Sequence, residues 1–170
     1  MSSIDVERTW LEMRRPPAVP PTPWPDGVRL ERALACPPAF YRFLYAEVGR
    51  ACRWMDRLRW SDLALATHLG DPAIEVWVAY LGGVPQGYFE LRHVADDASV
   101  EIAYFGLMPW AIGHGMGRRL LEVAIQQAWA SRPDRIWLHT CTLDHPAALP
   151  NYLKRGFTVT RIEHVVQEVT

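Results

Sequence analysis

Lysine is almost missing from this 170-residue sequence, with Lys154 the one lysine among eighteen basic residues. Nineteen acidic residues balance those eighteen, so the net charge is −1 and no basic field argues for nucleic acid. No apolar run approaches the roughly 20 residues of a membrane span. The opening residues, MSSIDVERTW, are acidic and polar where a secretory signal is basic and then apolar. Only three cysteines occur, Cys36, Cys52 and Cys141, and they are scattered. An odd, scattered set points to reduced thiols and a cytoplasmic setting instead of a disulfide framework. CxxC and HExxH spacings are lacking, so no metal site is expected. The scarcity of lysine itself carries no functional reading.

What is present fits one globular domain with a substantial core: 49% apolar and 22% charged residues. Residues 1–27 differ from the rest. Six prolines between Pro16 and Pro25 predict an extended arm lying on its own domain or on a partner subunit. Ahead of them, Ser3–Arg14 reads as a short helix anchored by Ile4, Trp10, Leu11 and Met13. The domain proper is expected over 28–170.

Within it, Val28–Arg32 alternates as a strand. Phe40, Phe43, Leu44 and Val48 recur at helical spacing over Pro38–Arg50, and Ser61 is a plausible N-cap for a second helix to Leu69. Trp54 to Trp60, between them, mixes aromatics and charges; it either holds a cationic acceptor or simply connects the helices. Ile74–Leu81 and Pro85–Arg92 flank the hairpin dipeptide Gly82-Gly83. Val100–Met108 is a further strand. A helix over Gly117–Ser131, a strand over Arg135–Cys141, a short helix over Pro146–Arg155 and a strand over Phe157–Val169 complete the chain. The order βααβββαβαβ predicts an α/β (α+β) sandwich with a mixed sheet.

The stretch Leu107–Arg118 joins a strand to a helix and carries glycines at 113, 115 and 117. Alternating glycines expose successive backbone N–H groups, and the helix behind adds its positive end, so the loop reads as a cradle for a pyrophosphate. His114, Arg118 and Arg119 add charge beside it. A Rossmann site needs G-x-G-x-x-G after the first strand and an acidic residue about 20 residues on; neither condition is met here.

At these residues the sequence resembles the GCN5-related N-acetyltransferase superfamily, GNAT. Its signature, Arg/Gln-x-x-Gly-x-Gly/Ala, matches Gly115 and Gly117, with Gly113 as the extra glycine of some members and Ile112 in the Arg/Gln position. A second family element, Asn-x-x-Ala-x-x-x-Tyr-x-x-x-Gly-Phe, keeps its spacing in Ala148, Tyr152, Gly156 and Phe157. There His145 replaces the asparagine, Asp144 stands beside it, and Pro150 interrupts the helix.

The resemblance implies a three-layer sandwich: a mostly antiparallel sheet with helices on both faces. It implies acetyl-CoA as cosubstrate and transfer of the acetyl group to a primary amine of a small molecule or peptide. Leu107, Met108, Ile112, Gly113, His114, Gly115, Met116, Gly117, Arg118, His145 and Tyr152 are then the cofactor-binding residues, with backbone N–H groups at Leu107 and Met108 facing the acyl oxygen. Glu101, amid apolar neighbours on the strand feeding the loop, is the expected base. Glu90, on the neighbouring strand, is a second candidate acting through water. Tyr152 is the expected acid toward the sulfur. Cys141 ends a strand near this cleft and reads as a structural thiol flanked by His139 and His145. Neither nucleic acid nor a membrane is expected as partner, and the family's habit of pairing allows a homodimer. The alternative is an acyl-CoA-binding module without turnover, which the departures at Ile112 and His145 favour.

Overall fold

Alternation reaches further toward the N-terminus than the arm reading allows. Thr9, Leu11 and Met13 are buried, while Trp10 and Glu12 between them lie on the other face. Period two, with β-branched Ile4, Val6 and Thr9, is a strand signal. In the computed structural model, which describes residues 2–169, Ser2–Met13 is a β-strand (β1) and not a helix. It is inserted between β6 (Arg135–Cys141) and β7 (Thr158–Val169), antiparallel to both. The chain therefore enters the sheet at its start, and Val28 lies inside the domain instead of opening it.

The remaining elements follow the expected order. They are β2 (Val28–Arg32), α1 (Pro38–Gly49), α2 (Asp62–Leu69), β3 (Ile74–Leu81), β4 (Val84–Val94), β5 (Ser99–Leu107), α3 (Met116–Trp129) and α4 (Ala148–Lys154). Ser61 caps α2, its hydroxyl accepting the Ala64 N–H at 3.1 Å. Gly82 and Gly83 both adopt positive φ (58° and 80°), as the tight β3–β4 hairpin requires. Helix α4 begins at Ala148, two residues later than expected, which places Pro150 in its first turn, where no N–H is needed.

The seven strands are ordered β2-β3-β4-β5-β6-β1-β7, and only β5–β6 is parallel. On one face, α3 and α4 pack on Leu11, Phe89, Ile102, Ile136 and Leu138. On the other, α1 and α2 pack on Val76, Val78, Tyr88 and Met108. That second core takes no residue from β6, β1 or β7, so those strands present the same face without a helix over it. This is the expected sandwich with helices on both faces.

Residues 14–27 connect β1 to β2 on the far side of the sheet, crossing α3. The Thr22 N–H donates to Glu122 at 2.6 Å, Arg119 Nε donates to the Pro23 carbonyl at 3.0 Å, and Trp24 packs on the α3/α4 core. Glu122 also receives Arg118 (3.0 Å) and Arg155 of the α4 end (2.9 Å). Burial pushes its pKa up, but the Thr22 hydrogen bond and Arg118 outweigh this and bring it down to about 2. No helix among the described residues is long and apolar enough to cross a membrane.

Candidate active site

Strands β5 and β6 pair over three residues only, Ser99–Glu101 against Arg135–Trp137. Beyond them the strands part. Ile102–Leu107 continues against β4, and Leu138–Cys141 continues against β1. An antiparallel ladder sends alternate residues' N–H groups to the same neighbour. The Met108 N–H donates to the Gln86 carbonyl on the β4 side at 2.8 Å, so the Leu107 N–H faces the gap. Leu107 thus points its donor toward the gap. Met108 does not: its N–H is committed and its side chain is fully buried under α1 and α2.

The glycine loop closes one end of the gap. Gly113 and Gly115 adopt positive φ (87° and 71°), and Gly115 sits at the N-cap of α3. Residues with a Cβ rarely hold such angles. A single turn, Pro109–Ala111, is pinned by Trp110, whose Nε1 donates to the Pro85 carbonyl at 2.8 Å. Ile112, Gly113, His114 and Gly115 are exposed; Met116 is buried and anchors the helix start. The first-turn N–H groups of the 14-residue α3 then point at whatever the loop holds. Arg119 Nη1 steadies the loop by donating to the Gly115 carbonyl at 3.2 Å. Arg118 is occupied with Glu122. His145 has a local role: its Nδ1 accepts the Ala147 N–H at 3.1 Å and turns the chain into α4.

Tyr152 of α4 lies on the α3/α4 side, in edge contact with Phe105 of β5 (6.2 Å) and Phe157 (6.1 Å). Burial, then the charges of Asp144 and Cys52, push its phenol well above the ordinary tyrosine range. It stays protonated at neutral pH and is a weaker acid than an unperturbed tyrosine. Asp144 itself is fully engaged. It accepts from the Thr140 hydroxyl, from the Cys141 N–H (3.1 Å) and from Trp54 Nε1 (3.2 Å). Trp54, in the α1–α2 connection, packs on Tyr45 (5.5 Å) and Tyr104 (5.0 Å).

Glu101 is the last β5 residue before the gap opens, and its side chain lies on the helix-free face. Its neighbours there are an arginine and an aromatic ring, not an aliphatic pocket. Arg92 Nε donates to its Oε2 at 2.7 Å, and Trp137 stands opposite on β6. Trp10 stacks on Trp137 (5.5 Å) and tilts against His139 (4.9 Å), extending this face across β1. Desolvation beside the Trp10 ring, and then the Arg8 charge, hold the His139 pKa below the ordinary imidazole value.

Glu90 is elsewhere. It is fully buried under α1 and α2, with Tyr41 Oη on one oxygen (2.6 Å) and Arg57 Nη2 (3.1 Å) and His68 Nε2 (3.0 Å) on the other. Burial alone would raise its pKa; the hydrogen bond from His68, the Arg57 charge and Tyr41 bring it below the ordinary carboxylate value. Without an exposed oxygen it has no path to water, so the expected water relay through Glu90 has no geometric basis.

A gap between two parallel strands, an N–H facing into it, and a glycine-rich helix start at its end form a constellation with a known counterpart. The family model described as Acetyltransferase (GNAT) family matches residues 37–157. The chain belongs to the GNAT family. Solved GNAT structures share the fold. The GCN5-related N-acetyltransferase from Kribbella flavida superposes with a TM-score of 0.66 at 19% identity, over 94% of this chain and 56% of that one. That from Sphaerobacter thermophilus gives 0.66 at 16%, over 95% and 50%. An aminoglycoside acetyltransferase from an uncultured soil metagenomic sample, in complex with sisomicin, gives 0.63 at 15%, over 77% and 88%. The chain spans about half the length of the first two structures. Comparison with curated proteins gives no match.

Sequence reasoning singled out the glycine loop, Tyr152 and Glu101; the loop opens α3, Glu101 lies on β5 and Tyr152 packs against Phe105 of β5. It missed Trp54 and Asp144 as a bridged pair, because they lie 90 positions apart. Asp144 beside the departing His145 was the available signal. It read the strand that carries Trp10 as a helix, and so did not place that ring beside Trp137.

Proposed function

We propose that this GNAT domain transfers an acetyl group from acetyl-CoA to a primary amine of a small molecule or peptide, in a ternary complex. The observation that carries the reading is the β5–β6 gap, with the Leu107 N–H facing into it and the N-terminus of α3 at its end. Acetyl-CoA fits this chain: a pyrophosphate suits the N–H groups of residues 113–117, and an extended pantetheine suits an unpaired strand edge. When bound, it supplies the acetyl group as a thioester.

The chain's residues then divide the work. The Leu107 N–H donates to the acyl oxygen as it becomes an oxyanion, while the Met108 N–H stays with the Gln86 carbonyl. Glu101, at the mouth of the gap on the helix-free face, takes the proton of the attacking amine. Arg92 holds that carboxylate in place. Tyr152 donates toward the sulfur from the opposite face; its raised pKa makes it a hydrogen-bond donor before it is a proton donor. Most of the rate gain comes from holding amine and thioester together. The aminoglycoside acetyltransferase among the structural neighbours makes polycationic amines one class to test. Three unpaired thiols, Cys36, Cys52 and Cys141, fit a reducing cytoplasm.

The second reading, an acyl-CoA-binding module without turnover, is favoured by two observations. Ile112 takes the signature's Arg/Gln position, and Glu101 is tied to Arg92. Free-thiol release from acetyl-CoA, measured against polyamines, amino acids, aminoglycosides and peptides, separates the two. Release with one amine class establishes the transferase; a thermal shift by CoA without release from any amine supports the binding module.

A further inference from the structure

Trp54 occupies a position that the acyl-transfer reading leaves unused. Strand β5 runs Tyr104-Phe105-Gly106-Leu107 along the open gap, and β6 ends at Cys141 on its other side. The Trp54 ring reaches both. A Cβ built on Gly106 would stand 3.9 Å from Trp54 Cη2, and the indole Nε1 donates to Asp144, which is tied in turn to Thr140 and Cys141 at the end of β6. The indole thus bridges the two strands where they have separated, on the α1/α2 side, with Phe105 and Tyr152 facing each other on the opposite side.

The ring is held rigidly. It lies against Gly49 so closely that a Cβ there would be 2.6 Å from Trp54 Cβ, and it contacts Tyr45 and Tyr104. Arg53, at a positive φ of 55°, turns the chain to present it. Gly106 has no side chain, and α1 presses down on it through Val48, so no space opens on that side.

We infer that Trp54, fixed by Asp144, is the residue that limits the acyl group to a short chain. One residue separates the Leu107 N–H from Gly106, and the edge of the indole stands over Gly106. A methyl group fits beneath a fixed aromatic ring; added methylenes must displace it and break its bond to Asp144. The inference rests on the acyl-CoA reading of the site.

The test is calorimetric binding of CoA, acetyl-CoA and butyryl-CoA to the wild-type chain and to the Trp54→Ala and Trp54→Leu variants. The wild-type chain is expected to bind acetyl-CoA on the order of tenfold or more tighter than butyryl-CoA. In the variants the ratio falls toward one or reverses, since each methylene newly accommodated gains about fourfold. Equal wild-type binding of both thioesters overturns the role of Trp54 while the acyl-CoA reading stands. So does a preference that persists unchanged in a folded variant. Failure of the folded wild-type chain to bind CoA overturns that reading, and the inference with it. Where neither variant folds, the same comparison on the conservative Trp54→Phe variant, whose ring is smaller and has no N–H for Asp144, decides in their place.

Discussion

Two carboxylates one strand apart have opposite fates, and the difference is one of company. Glu90 and Glu101 both project from central strands toward the α1/α2 side. Glu90 is sealed beneath the helices with three partners. Glu101 lies where no helix covers the sheet, with Arg92 as its one side-chain partner. The sequence places Glu101 on the strand that feeds the glycine loop, and it lies there, on β5. Its partner Arg92 was not legible, because the β4–β5 register shifts between Glu90 and Leu91, and alternation alone does not place a bulge. If Glu101 takes the amine proton, Glu101→Gln lowers kcat by roughly 10²–10⁴-fold, with a smaller change in the KM for acetyl-CoA. Steady-state kinetics on the accepted amine check this; an unchanged kcat assigns the proton to another group.

At the scale of elements, ten of the eleven helices and strands were legible, because their periodicities are strong and punctuated by Gly82-Gly83, Ser61 and Gly156. The eleventh, β1, was not. Ile4, Trp10, Leu11 and Met13 match a helical stripe about as well as Thr9, Leu11 and Met13 match a strand, and only the partners β6 and β7 decide between them. The openness of the gap depends equally on contacts invisible in the sequence. Gly106 lets α1 approach β5 until an added Cβ would lie 2.4 Å from Val48 Cγ1, a short side chain anchored in the core. Gly106→Ala is therefore expected to destabilise the chain by about 1–3 kcal/mol or more. Gly117→Ala, whose Cβ would meet Leu107 Cδ1 at an ordinary 3.5 Å, is expected to leave stability nearly unchanged. Denaturant midpoints of the two variants test the contrast.

For the whole molecule, the proline-rich connection works as a strap. It carries the chain from one side of the sheet to the other and fastens α3 through Glu122 and Arg119, the latter also holding the glycine loop. Glu122 has its pKa lowered from 4.5 to about 2 in the folded chain, so its stabilisation is complete above the ordinary carboxylate range and fades as pH falls toward 2. Glu122→Gln is expected to lower the Tm near neutral pH by several degrees, and the gap to wild type should close as pH drops through that window. A gap independent of pH would mean that the ionised carboxylate is not the fastening. Binding of acetyl-CoA at the β5–β6 gap, as proposed, is tested most directly by amide hydrogen exchange with and without CoA. Slowed exchange at Leu107 and over residues 113–119 is the predicted result; protection confined to other segments, or none at saturating CoA, would contradict it.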